Sequence, residues 1–142
     1  MAFWKWIFGR KNRYVDDAVA IVPVKDMRRT IDFYVGVLGF EALFVADDGR
    51  FATVLNGKAA IHFTQTDDAT ALAATANNIS IYLWTTKVDR LYKKLKKLLD
   101  KLPEGRVKPP FNQPYGMREF HVKDPDGCLL FFGESIRDEG GL

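Results

Sequence analysis

The stretch Tyr115-Gly-Met-Arg-Glu-Phe-His-Val-Lys-Asp-Pro-Asp-Gly-Cys-Leu-Leu-Phe-Phe-Gly-Glu134 decides the fold. Apolar residues alternate on both sides of Asp124-Pro-Asp-Gly127. Phe120 and Val122 therefore share one face, and Met117, Glu119 and His121 the other. Beyond the turn, Leu130 and Phe132 go one way, and Leu129, Phe131 and Gly133 the other. Proline suits an early turn position and glycine supplies a positive φ, so the stretch reads as a β-hairpin. One face of this hairpin is apolar and calls for a helix against it. The other mixes Glu119, His121 and Phe131, an odd set for a buried surface and a suitable one for a pocket wall.

Around this hairpin lie 142 residues, 47% of them apolar and 13% aromatic, enough for one domain or for two small halves sharing a core. No apolar run approaches the length of a membrane span. The N-terminus lacks the signal-peptide order of basic region, apolar run and small-residue cleavage site. The lone Cys128 excludes an intramolecular disulfide and a cysteine metal cluster, and with no base beside it reads as a packed thiol. A cytoplasmic protein is expected. The net charge is +3, but four of the 21 basic residues, Lys5, Arg10, Lys11 and Arg13, precede residue 14, leaving 17 against 18 acids. The rest of the chain is therefore not a basic surface, and no nucleic-acid partner is expected.

Residues 1–14 form an aromatic and basic arm, with Phe3, Trp4, Trp6, Ile7 and Phe8 ahead of the basic cluster. It reads either as a short interfacial membrane anchor or as an arm packing on the domain or on a second subunit. A domain is expected over 15–138, with modules at about 17–65 and 78–135, and a tail at 139–142. Ala18–Val24 is strand-like. Asp26 is a candidate N-cap for a helix burying Ile31, Tyr34, Val35 and Leu38, which Gly39 ends. Strands near 40–46, 50–55 and 58–65 follow, separated by Asp47-Asp-Gly49 and Asn56-Gly57. Residues 66–77 read as a linker with at most one helical turn. The pattern then restarts: a strand at Ile79–Trp84, and a helix from Lys87 to Leu102 with Val88, Leu91, Tyr92, Leu95, Leu98 and Leu99 inward. Lys93, Lys94, Lys96 and Lys97 form its solvated face. A short strand with a Pro-rich loop and the opening hairpin complete it. The order is a repeated βαβββ unit, and neither half could bury its sheet alone.

In Val22-Pro-Val-Lys-Asp26, in Ile31-Asp-Phe-Tyr34 with Leu38-Gly-Phe40, and in Tyr115–Gly127, the sequence resembles the vicinal oxygen chelate superfamily of glyoxalases, bleomycin resistance proteins and extradiol dioxygenases. The resemblance covers about residues 17–135. It implies an α+β fold, in which two βαβββ modules with mixed curved sheets enclose a central cavity and carry their helices on the outer face. Metal-dependent members place His and Glu ligands at four inner positions, which fall here on Val19, His62, Ser80 and Phe131. Only His62 is a strong ligand, and one strong ligand does not hold a metal against competing chelators. The resemblance is therefore to the metal-free, bleomycin-resistance-like branch. It implies no cofactor, no catalytic residue, a bulky aromatic or cationic small molecule as ligand, and a homodimer.

Strand alternation gives the pocket face independently. Ile79, Ile81 and Leu83 must meet a helix, which leaves Ser80, Tyr82 and Trp84 for the cavity; Ala60, His62 and Thr64 follow by the same argument. The candidate ligand-binding set is His62, Tyr82, Trp84, Tyr115, Met117, Glu119 and Phe131. Tyr82 and Trp84 would stack on a planar or cationic ligand, or else fill the cavity as core. His62 would be a polar contact or a satisfied structural histidine. Glu119 would attract a cation directly, or pair with Arg118 or another base. Tyr115, Phe111 and Met117 lie on or near a Pro-bounded loop over the cavity mouth. His121 reads as structural. His62, Glu119 and His121 together would make a nonstandard metal site, the basis of an alternative reading as a metal-dependent lyase, isomerase or dioxygenase. A membrane-peripheral or interaction protein using the arm is a further alternative.

Overall fold

The computed structural model describes residues 14–137. Nearly all of the expected arm, and the whole tail at 139–142, lie outside the described residues. In the first module β1 (Ala20–Val24) leads through α1 (Met27–Gly36) to β2 (Glu41–Val45), β3 (Phe51–Asn56) and β4 (Ala59–Gln65). A connecting helix α2 (Ala69–Asn78) follows. The second module repeats the order with β5 (Ser80–Trp84), α3 (Val88–Leu99), β6 (Val107–Asn112), β7 (Met117–Lys123) and β8 (Leu129–Ser135). The two sheets have equivalent strand orders, β1-β4-β3-β2 and β5-β8-β7-β6. In each, the first strand pairs parallel with the last, and the remaining pairs are antiparallel. The α+β fold of two βαβββ modules read from the sequence is the fold observed.

Local chemistry explains most of the elements. The Asp26 side chain accepts from Arg29 N at 3.0 Å and so caps α1 as expected. The buried stripe of that helix is Met27, Thr30, Phe33 and Tyr34, a 3–4 spacing that leaves Val35 outside it. Val35 is consequently exposed, against expectation, and Phe33 takes its place. Residues 66–77 are not a linker with one turn. The ten-residue α2 occupies most of them and runs on to Asn78, with Asp68 accepting from Thr70 N at 2.9 Å. Its alanines favour helix without marking a buried face, and its one fully buried side chain, Thr75, donates to Pro23 O at 2.8 Å. In α3, Val88, Leu95 and Leu99 are buried, whereas Leu98 is exposed beside the lysines. No side chain of its own first turn caps this helix. Lys87 instead takes a left-handed φ of 54°, and Glu134 of β8 accepts from Lys87 N at 3.0 Å and Val88 N at 3.1 Å.

A single apolar core joins the modules on the helix-covered side of both sheets, with Val22, Phe33, Tyr34 and Phe63 from one module and Leu95, Leu99, Phe120 and Phe132 from the other. Phe120 and Phe132 stack 4.6 Å apart, and Tyr34 packs 4.8 Å from Phe63. The Asp124-Pro-Asp-Gly127 turn is the joint. Asp124 is buried, and it accepts from Tyr34 Oη at 2.8 Å, Asp126 N at 2.9 Å and Cys128 N at 3.0 Å. Asp126 accepts from Arg29 Nη2 at 3.0 Å and Lys25 N at 3.2 Å. Gly127 has a φ of +89°, and a Cβ there would stand 3.1 Å from Ala76 Cα, so both conformation and space require glycine. Burial pushes the Tyr34 phenol pKa well above its ordinary value, and the neighbouring Asp124 adds to that shift. Removing the Tyr34 hydroxyl strands a buried carboxylate oxygen. Tyr34→Phe is therefore expected to lower unfolding stability by about 1–3 kcal/mol, read as a lower urea midpoint at unchanged slope.

Candidate functional site

The face of each sheet away from the core carries the candidate residues. On the first sheet, direct pairing lines up Ile21, His62, Thr53 and Phe44 across β1, β4, β3 and β2. His62 Nδ1 and Thr53 Oγ1 share a 2.8 Å hydrogen bond, and the imidazole lies 5.3 Å from Phe51. Ile21 and Phe44, at the two ends of the row, are exposed. The alternation in Phe51-Ala-Thr-Val-Leu55 already held the signal for Thr53 and Phe51, because Ala52 and Val54 must face the helix.

On the second sheet the equivalent rows are Tyr82, Phe131, His121 and Lys108, then Trp84, Gly133, Glu119 and Phe111. Tyr82 stacks on Phe131 at 5.8 Å and 12°, and lies 5.3 Å from Trp84. Trp84 is 77% exposed at the edge of this aromatic wall. His121 meets Phe131 edge-on at 4.3 Å and Phe111 at 5.1 Å. Met117 is buried on the same face, beside the loop that carries Tyr115.

Glu119 organises this face. Its side chain is fully buried, yet it is an acceptor for four donors. Oε1 receives Gln113 Nε2 at 3.0 Å and His121 Nε2 at 2.8 Å; Oε2 receives Tyr82 Oη at 2.8 Å and Tyr115 Oη at 2.7 Å. An ionised carboxylate accepts about four bonds, so Glu119 is saturated. Burial pulls its pKa upward, but the hydrogen bonds, led by that from His121, outweigh it and hold the pKa at about 2. The hydrogen bond to Glu119 pushes the Tyr115 phenol up to about 12. Burial, with the same carboxylate, raises Tyr82 further. Glu119 is thus a fixed negative charge beneath two phenols. A cation feels its field but has no free oxygen to touch, and the direct contact expected from sequence is not available. Nor does Glu119 pair with Arg118, which bonds Asp89 at 2.9 Å.

Gly133 makes the arrangement sterically feasible. A Cβ there would stand 2.7 Å from Tyr82 Cζ, because the phenol crosses that backbone to reach Glu119. A glycine inside the strand Leu129–Ser135 was its sequence signal, since such a residue often marks a close approach. Gln113 left no comparable signal in its loop. Tyr82, Trp84, Phe131, Tyr115, Met117 and Glu119 are thus gathered on the second sheet, while His62 stands on the first. His62, Glu119 and His121 are not brought together, and among the described residues no group of three His, Cys, Asp or Glu side chains is placed to hold a metal. A groove of about 740 Å³ between the modules is lined in part by Tyr82 and Trp84, but not by His62 or Glu119.

The sequence model of the Glyoxalase/Bleomycin resistance protein/Dioxygenase superfamily matches residues 15–132. A bleomycin resistance protein of Geobacillus stearothermophilus is 28% identical over 133 residues, covering 84% of this chain and 97% of its own length. The bleomycin-binding protein of Streptomyces verticillus, solved with copper(II)-bleomycin, superposes with a TM-score of 0.70 at 26% identity, over 85% of this chain and 97% of that one. An antibiotic binding protein from Streptomyces sp. CB03234 gives a TM-score of 0.65 at 25% identity, over 87% and 99% of the two chains.

The network around Glu119 sets an acid response. Its folded pKa of about 2 lies below the unfolded value of roughly 4.3. The stability it confers is therefore complete above the unfolded value and lost as pH falls through the folded one. Glu119→Gln is expected to destabilise the protein by about 2–3 kcal/mol at pH 7 and to flatten the loss of stability between about pH 4 and 2. Denaturant unfolding as a function of pH measures both. Gly133→Ala should drive Tyr82 off Glu119 and lower the Tyr82 phenol pKa toward its ordinary value, followed by ultraviolet absorbance.

Proposed function

We propose, for a chain that belongs to the Glyoxalase/Bleomycin resistance protein/Dioxygenase superfamily, the role of a small-molecule-binding protein of the bleomycin-resistance type. It sequesters a planar aromatic or cationic ligand, bleomycin-like in chemical class, without changing it covalently. The observation that carries this reading is the aromatic wall of Tyr82, Trp84 and Phe131 over the saturated Glu119 carboxylate. Trp84 offers an open π face, and the buried charge below makes the wall attractive to a cation without a contact ion pair. The names of the relatives support the same class: bleomycin resistance in one, bleomycin and antibiotic binding in the others. Binding needs no proton transfer here, which suits a carboxylate held at about 2 and phenols held high.

The working unit of this reading is a homodimer in the cytoplasm. The first-sheet face leaves Ile21 and Phe44 exposed, and the second leaves Trp84 and Tyr115 exposed. Placing the first-sheet face of one copy over the second-sheet face of another would cover these apolar groups. It would also bring His62 opposite the aromatic wall, so that its imidazole adds a polar contact to that wall. Among the described residues, no helix is long and apolar enough to cross a membrane.

Titration with bleomycin and with planar cationic dyes tests the reading. Calorimetry should show saturable binding at one site per chain. Trp84→Ala should weaken it about tenfold or more while leaving the far-ultraviolet circular dichroism of the chain unchanged, because the indole lies outside the core of a single chain. Sedimentation should give a dimer. Absence of binding by every such probe, or affinity indifferent to Trp84, overturns the sequestration role.

A further inference from the structure

Glu119 fixes more than the positions of its neighbours. With a pKa of about 2 it is ionised at neutral pH, and an ionised carboxylate only accepts. Each group bonded to it must therefore point a proton inward. His121 reaches it through Nε2 at 2.8 Å, so the neutral imidazole carries its proton on Nε2 and keeps Nδ1 as a bare acceptor. Tyr115 reaches it through Oη at 2.7 Å, commits its one proton there, and keeps only lone pairs. Among the described residues His121 Nδ1 has no hydrogen-bond partner, and the buried polar atoms left alone are others, Arg106 Nη2 and Asp126 Oδ2. Nδ1 therefore opens on the inner face, where 15% of the His121 side chain is exposed. Tyr115 is also exposed.

We propose that His121 Nδ1, with Tyr115 Oη on the other side of the same carboxylate, is the specificity-determining acceptor of the inner face, and that the ligand is a planar aromatic cation carrying N–H donors, of the amidine or aminoaromatic class. This ligand class presupposes the sequestering role of the same wall. The field of Glu119 draws in a cation but gives it no fixed orientation, because no carboxylate oxygen is free to touch. An N–H aimed at Nδ1 supplies that orientation. Phe131 and Phe111 flank the imidazole at 4.3 and 5.1 Å, so a planar ligand that covers these rings covers Nδ1 as well. A quaternary cation would gain the field and the rings but bury Nδ1 unpaired, which costs affinity. Lys108, paired across the strands with His121, already rests its ammonium 3.9 Å from the Phe111 centroid. The face thus holds one N–H cation of its own.

Two acridine cations test this by calorimetric titration of the full chain at about pH 8, above the ordinary histidine range. Protonated 9-aminoacridine carries N–H donors; N-methylacridinium carries none. The first should bind roughly tenfold or more tighter than the second, the difference expected of one charge-assisted hydrogen bond. His121→Phe keeps a ring and removes the acceptor, and should abolish the preference while N-methylacridinium still binds. That change also takes a donor from the buried Glu119, so circular dichroism must show the variant folded. Nitrogen-15 NMR of the unsubstituted chain reads the tautomer without any substitution, and a proton on Nε2 is expected. Equal affinity for the two dyes, a preference that survives in folded His121→Phe, or a proton on Nδ1 in the neutral ring each overturns the acceptor role alone. Binding of neither dye is a different failure and removes the sequestering role and this ligand class together.

Discussion

The buried carboxylate of Asp124 is the constraint on which the architecture turns. Two βαβββ modules built from separate sheets have no strand pairing between them, so their mutual placement rests on core packing and on a few directed bonds. Asp124 supplies the most directed of these. It folds its own turn through Asp126 N and Cys128 N, and with its other oxygen takes the Tyr34 hydroxyl from the first module's helix. A charge buried in this way is tolerated only when its lone pairs are occupied. The turn and the helix must therefore be in register for either to be stable. Burial raises the Asp124 pKa while these donors pull against it, which is the electrostatic signature of a group held in place by its partners.

A second carboxylate does for the inner face what Asp124 does for the joint. Glu119 draws Tyr82 from β5, Gln113 and Tyr115 from the loop before β7, and His121 from β7 itself onto one point. The side chains that make up the candidate wall are thereby fixed from below. Preorganisation of this kind lowers the ordering cost of binding, because the rings that meet a ligand are already held by hydrogen bonds at their far ends. Trp84 and Phe131 are the exceptions: both rings are held by ring contact alone.

Much of this was legible in the sequence because it depends on period-two alternation and on turn chemistry, both of which are local. Assigning Phe120, Val122, Leu130 and Phe132 to one face and Glu119, His121 and Phe131 to the other needed only the hairpin, and the core contains the first set. Asp26 was readable as a cap for the same reason. What escaped was set by distant partners. Alternation placed Glu119 on the inner face but could not show that four donors would converge on it. Gly133 was readable as a strand glycine, but not as the gap through which a phenol passes. The helix α2 was missed because its buried contact is a threonine bonded to Pro23 rather than an apolar stripe. Val35 and Leu98 were misplaced because each lies at the margin of a helical stripe, where tertiary packing rather than spacing decides burial.

The parallel pairing of each module's first strand with its last has a consequence for how the chain assembles. β1 cannot complete its ladder until β4 arrives, and β5 must wait for β8. The start of α3 is likewise satisfied only when Glu134 is present to receive its backbone N–H groups. During synthesis the first module has all its strands by residue 65, but its helix still lacks the Asp124 partner, and the second module stays incomplete almost to residue 135. The two closing pairs span similar separations, Ala20 to Ile61 and Ser80 to Leu129, so the second module completes after the first because its closing strand comes later in the chain. In that interval the unpaired edge of β5 and its aromatic side chains are exposed. The last of the described strands, β8, closes that edge.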